Sequence, residues 1–66
     1  MNLSSRYLIK LLTGRGFVLI RSKGSHHVYF NPSSNKTVIV PVHNKDLAEG
    51  TFFGILKQAD IDKSEL

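Results

Sequence analysis

Gly24-Ser25-His26-His27-Val28-Tyr29-Phe30-Asn31, preceded by Phe17-Val18-Leu19-Ile20-Arg21 and followed by Thr37-Val38-Ile39-Val40-Pro41-Val42, decides the fold. All three runs are rich in β-branched and large apolar residues, which suit a pleated, half-buried surface. The gaps hold turn formers, Ser22-Lys23-Gly24-Ser25 in the first and Pro32-Ser33-Ser34-Asn35-Lys36 in the second. Three antiparallel strands are expected.

Helical spacing marks the segments on either side. Ser4 or Ser5 is an N-cap with Leu3 as a staple residue, and Leu8, Leu11 and Leu12 follow at helical intervals. Gly14-Arg15-Gly16 stops that helix, since glycine supplies the left-handed conformation of a C-terminal cap. A second helix is predicted over Gly50 to Ala59, where Phe52, Phe53, Ile55, Leu56 and Ala59 recur on one side, with Ile61 tucked under its end. The expectation is an α+β domain over residues 1–66, α-β-β-β-α, with a three-stranded antiparallel sheet and both helices on one face. No repeat, linker or low-complexity stretch interrupts it.

Sixty-six residues form one small domain, which excludes a catalytic cleft shared between two domains. The chain has no cysteine, so neither disulfides nor a thiolate zinc site can reinforce the core, and its 41% hydrophobic content has to suffice. No apolar run approaches eighteen residues, and Met-Asn-Leu-Ser-Ser lacks the features of a signal peptide. A soluble, cytoplasmic protein without membrane contact is expected. The net charge is +4, and Arg6, Lys10, Arg15, Arg21, Lys23, Lys36 and Lys45 all precede the first acid, Asp46. A basic segment free of acids favours a phosphate-rich partner, although ordinary solubilising charge accounts for it equally well.

A tight turn at Lys23-Gly24 would set Leu19 opposite Val28 and Phe17 opposite Phe30. The core face would then collect Phe17, Leu19, Val28, Phe30, Val38, Val40 and Val42. Val18, Ile20, His27, Tyr29, Ile39 and His43 would fall on the other face, with His27 outward and His26 inward. His43 would stand opposite Ser25 and diagonal to His27, roughly 7 to 8 Å away between Cα atoms. Apolar residues on a bare face call for a partner that covers them at times.

Two imidazoles at one phosphodiester suffice for RNA cleavage by transesterification, one as base toward the 2′-hydroxyl and one as acid toward the departing 5′-oxygen. Arg21 or Lys23 could stabilise charge on the phosphorus. For each histidine a surface or hydrogen-bonding role remains open. A metal site is a weaker reading, because His26 and His27 diverge and no carboxylate precedes Asp46. Tyr29 could stack on a base or simply pack across the strands. Gly24-Ser25 serves the turn, and Ser25 has no carboxylate to complete a nucleophilic Ser-His arrangement.

Gly16-Phe17, Gly24-Ser25-His26-His27, Val40-Pro41-Val42-His43 and Gly50-Thr51-Phe52-Phe53-Gly54-Ile55-Leu56-Lys57-Gln58-Ala59, in that order, resemble the HicA family of mRNA interferase toxins over nearly the whole chain. The resemblance implies a double-stranded-RNA-binding-domain-like fold and ribosome-independent cleavage of mRNA by one essential histidine. It also implies neutralisation by a HicB-like antitoxin that covers the site. The family's catalytic histidine ends its Gly-Ser-x-His motif, a position held here by His27, with His43, Ser25 and Lys23 as candidate supporting residues. Arg21, Lys23, Tyr29 and Lys45 are the candidates for RNA binding, and Val18, Ile20, Tyr29 and Ile39 for the antitoxin interface. No cofactor or metal is expected, and the free toxin would be a monomer that joins its antitoxin in a hetero-oligomer. Where members commonly carry glycine after Gln-Ala, this chain has Asp60. Two alternatives belong to other classes: a non-catalytic RNA-binding module, and a protein-interaction domain. Against the first, Glu49-Gly50-Thr51 stands where a double-stranded-RNA binder usually presents lysines.

Overall fold

The computed structural model describes residues 1–66 as α1 (Ser5–Gly14), β1 (Val18–Lys23), β2 (His26–Asn31), β3 (Lys36–Pro41), α2 (Glu49–Gln58) and a final 3-10 turn, Lys63–Glu65. The strands form one antiparallel sheet in the order β1-β2-β3, and α1 and α2 pack on β3 and on each other. The expected order and layering therefore hold. The final turn was not foreseen; Asp62 and Glu65 close it as a capping box.

Ser4 is the N-cap of α1, its hydroxyl accepting from the Tyr7 N–H at 3.1 Å. Ser5 instead turns inward and donates to the His43 carbonyl at 3.4 Å. Both helices end in the same Schellman closure. In α1 the Phe17 N–H reaches the Leu12 carbonyl at 3.1 Å and the Gly16 N–H reaches Thr13 at 3.2 Å. In α2 the Ile61 N–H reaches Leu56 at 2.9 Å and the Asp60 N–H reaches Lys57 at 3.1 Å. Each closure places an apolar pair, Leu12 with Phe17 and Leu56 with Ile61, in the core. Each also needs one left-handed residue, supplied by Gly16 (φ +94°) and by Asp60 (φ +60°).

The register differs from the expected one by a residue. Lys23 pairs with His26, so the two-residue turn is Gly24-Ser25 rather than Lys23-Gly24. Gly24 has φ +57° and Ser25 a negative φ, the pattern of a type II′ turn, which wants glycine at its first central position. Because side chains alternate along a strand, this shift exchanges the faces of β2. Tyr29 pairs with Val38 beneath the helices and is buried, whereas Val28 and Phe30 lie on the outer face and are only half-buried. Between Leu19 and Arg21 the β1 pairing skips Ile20, a bulge that turns Arg21 and Lys23 outward. Leu19, placed in the core by the expected register, is 51% exposed.

Leu47 completes the core from the β3–α2 loop, its N–H bonded to the Leu3 carbonyl at 2.8 Å. Asn31 is the buried polar tie between the α1–β1 connection and the β2–β3 turn. Its amide donates to the Arg15 carbonyl at 3.0 Å, and its oxygen accepts from the Ser33 N–H at 2.9 Å.

The two helix closures give opposite expectations. Asp60→Gly relieves a left-handed residue at the loss of one exposed ion pair to Lys36, and so stabilises the domain by up to about 1 kcal/mol. Gly16→Ala forces an L-residue to φ +94° and destabilises by about 1–2 kcal/mol. Thermal unfolding of both variants checks this, the first melting higher than the parent and the second lower.

Candidate active site

His27 is the second residue of β2, the central strand, flanked across the sheet by Ser22 and Val40. It lies on the helix side with Tyr29 and Val40, and it is half-buried. The sequence expectation of His27 outward and His26 inward is thus reversed. His26 lies on the outer face, opposite Lys23 and Pro41, and is exposed. His43 is also exposed and follows the end of β3; the Val42 N–H, at 2.6 Å from the Ser25 carbonyl, shows that Val42 rather than His43 stands opposite Ser25. The expected diagonal pairing of His27 with His43 falls with that register. None of the three imidazoles takes part in a hydrogen bond or ion pair within the protein.

The cationic side chains divide between the two faces. On the outer face Arg21, Lys23 and His26 share a shallow hollow with Val28 and Ile39. Lys23 is therefore turned away from His27 and does not support a phosphorus held there. On the helix side a cleft between the start of α1 and the β3–α2 loop is lined by Arg6, His43, Asn44 and Lys45 beside Val42 and Ile9. Only two basic side chains are engaged by acids, Arg15 with Glu65 and Lys36 with Asp60. Arg6 was missed because nothing local in the sequence links the first turn of a helix to a loop so distant along the chain. Leu47, which anchors that loop, did carry a signal, being the only large apolar residue between His43 and Phe52.

Of the expected interface residues, Val18, Ile20 and Ile39 are 50%, 56% and 55% exposed. Tyr29 is not among them. Its ring is buried at 5% exposure, which removes it as a stacking platform for RNA and as an antitoxin contact. Burial also raises its phenol pKa above the ordinary 10.0, because the phenolate would lose hydration. No group of three or more His, Cys, Asp or Glu side chains gathers as a metal-binding set, and no helix is long and apolar enough to cross a membrane.

Residues 5–61 match the family model described as HicA toxin of bacterial toxin-antitoxin. No curated protein matches the chain. A match over that share of 66 residues places the chain in the HicA toxin family, which makes it the toxin of a toxin–antitoxin system.

Tyr29 tests the observed register directly. Tyr29→Ala removes a buried ring and should cost about 3–5 kcal/mol, most of the stability of so small a domain. Tyr29→Phe keeps the packing and removes a pH dependence. Above pH 10.0 the unfolded chain releases a proton that the native Tyr29 retains, so stability falls as pH rises through the raised native pKa. Denaturant unfolding at alkaline pH should show that fall in the parent and a smaller one in Tyr29→Phe.

Proposed function

We propose that this toxin is a ribosome-independent endoribonuclease of mRNA in which His27 is the catalytic base, and that an antitoxin neutralises it by occupying β1 and the outer face. The observation that carries the reading is the His27 imidazole, half-buried on the central strand with neither ring nitrogen bonded to the protein. Half-burial limits its rotamers, and free nitrogens leave it able to accept and return a proton. The resemblance of Gly24-Ser25-His26-His27 to the family's Gly-Ser-x-His motif supports the same residue.

In this mechanism His27 takes the proton of a ribose 2′-hydroxyl, and the 2′-oxygen attacks the adjacent phosphorus. The bond from phosphorus to the 5′-oxygen breaks, leaving a 2′,3′-cyclic phosphate on one fragment. The departing 5′-oxygen takes a proton from water or from His43, which is exposed just past the end of β3 and carries no fixed pairing with His27. Ser25, exposed in the turn before His27, offers a hydroxyl to the same phosphate. Two groups that move protons complete the chemistry, and no step calls on a metal or cofactor. Lys45 holds substrate on the His27 side, and Arg21 and Lys23 attract the polyanion from the outer face.

The antitoxin reading rests on β1. It is an edge strand, and Val18, Leu19 and Ile20 are exposed in succession along it. Such an edge invites pairing or cover by another chain. With Ile39 beside the Arg21-Lys23 cluster, the outer face suits a partner that is both apolar and acidic. A protein seated there competes with RNA for Arg21 and Lys23, and by reaching round the β1 edge it closes the approach to His27. The free toxin is then a monomer, and the neutralised form a hetero-oligomer.

Purified protein should cleave RNA in the presence of EDTA, and His27→Ala should lower the rate by at least about 100-fold while RNA binding persists. His43→Ala should slow cleavage without abolishing it, and His26→Ala should leave it near the parent rate. Full cleavage by His27→Ala would refute the mechanism. Separately, Ile39→Asp should weaken antitoxin binding with the fold intact, as read by titration and circular dichroism; unchanged affinity would move the interface away from the outer face.

A further inference from the structure

We infer that the cleft between the start of α1 and the β3–α2 loop is a phosphate subsite, in which Arg6 and Lys45 grip the RNA backbone next to the bond that His27 attacks. The inference rests on the nuclease reading above and adds to it a positioning pair for the substrate. Arg6 and Lys45 line one cleft together with His43 and Asn44, and neither cation is held by an acid. Asp46, next to Lys45 in sequence, takes part in no ion pair and does not line the cleft. The ligand class follows from the lining: two positive side chains, an imidazole and an amide form a site for an anion with several acceptor oxygens.

Location ties this cleft to His27. Val42 lines it, and Val42, just past the end of β3, is tied by its N–H to the Ser25 carbonyl, two residues beyond Val40, the partner of His27. His27 and Val42 are diagonal neighbours on the helix side, roughly 7–8 Å apart between Cα atoms, about the spacing of successive phosphates along an RNA strand. The outer hollow of Arg21, Lys23 and His26 opens on the opposite face of the sheet. A strand whose scissile phosphate sits at His27 therefore meets Arg6 and Lys45 with its next phosphate.

The walls of the cleft are fixed to each other before any ligand arrives. The Ser5 hydroxyl donates to the His43 carbonyl at 3.4 Å, and the Leu47 N–H bonds the Leu3 carbonyl at 2.8 Å. These two ties bracket Asn44 and Lys45 in sequence and hold the loop against α1. A subsite built in this way binds without first ordering a loop, so its contribution appears as affinity and alignment.

The test uses the full-length protein, a short single-stranded RNA, and the same RNA with 2′-deoxyribose throughout as a binding probe that cannot be cleaved. Arg6→Ala/Lys45→Ala should weaken probe binding at least tenfold and reduce the slope of log affinity against log salt by about one, as loss of one neutralised phosphate requires. In cleavage it should raise KM with kcat changed far less. Lys57→Ala/Lys63→Ala removes the same charge from the far end of the domain and serves as the comparison. Equal weakening by both double variants would overturn the subsite, as would an unchanged salt slope in Arg6→Ala/Lys45→Ala. If the parent binds RNA but does not cleave it, a selective loss in Arg6→Ala/Lys45→Ala still upholds the subsite while the nuclease reading fails.

Discussion

The position of Gly24 governs the chemistry that this sheet can present. A two-residue turn with a positive φ at its first residue and a negative one at its second suits glycine followed by serine, and Lys23 cannot take the glycine's place without strain. Once Gly24-Ser25 is the turn, Lys23 faces His26 and every residue of β2 has its side determined. His27 goes to the helix side with Tyr29, and His26 goes out with Val28. One backbone angle thus separates two neighbouring histidines into one half-buried imidazole and one exposed imidazole.

The Ile20 bulge does the complementary work on β1. Without it, residues two apart from Leu19 would share its side, and Arg21 and Lys23 would lie on the helix face. With it, both cations join His26 outside, beside the apolar Val28 and Ile39. The same irregularity leaves Val18, Leu19 and Ile20 exposed on an edge strand that is long for one without cover. Cations stand beside that exposed apolar surface, a combination that suits an acidic partner over a merely apolar one.

The element order, the α1 cap and the two helix ends were legible in the sequence because each rests on local chemistry: Ser4 before a Leu-rich helical run, Gly16 after it, Ile61 after Ala59. The faces of β3 were legible too, for Val38 and Val40 were expected on the core side and are buried there, although against different partners on β2. What failed was β2. His26-His27-Val28-Tyr29-Phe30 alternates between two nearly equivalent sets, and hydropathy favours Val28 and Phe30 over a histidine and a tyrosine. The turn residue and the bulge outweigh that preference, and Tyr29 is accommodated because its hydroxyl keeps contact with solvent while its ring packs under the helices. Arg6 beside Lys45 was illegible for a different reason, since only the tertiary fold brings a helix start to a distant loop.

Placing the imidazole on the helix side also sets how far the domain encloses it. The sheet has a bare face, where any side chain is mobile and fully hydrated, and a covered face, where a fully buried histidine would meet no substrate. His27 sits between these limits, half-buried near the end of β2, where Val40 and Ser22 flank it. Toward the sheet interior the next residue on that side, Tyr29, is already sealed in the core. Toward the turn the next is Ser25, already exposed. Position 27 is thus the one point on β2 where a side chain on the helix side is both held by its neighbours and open to solvent.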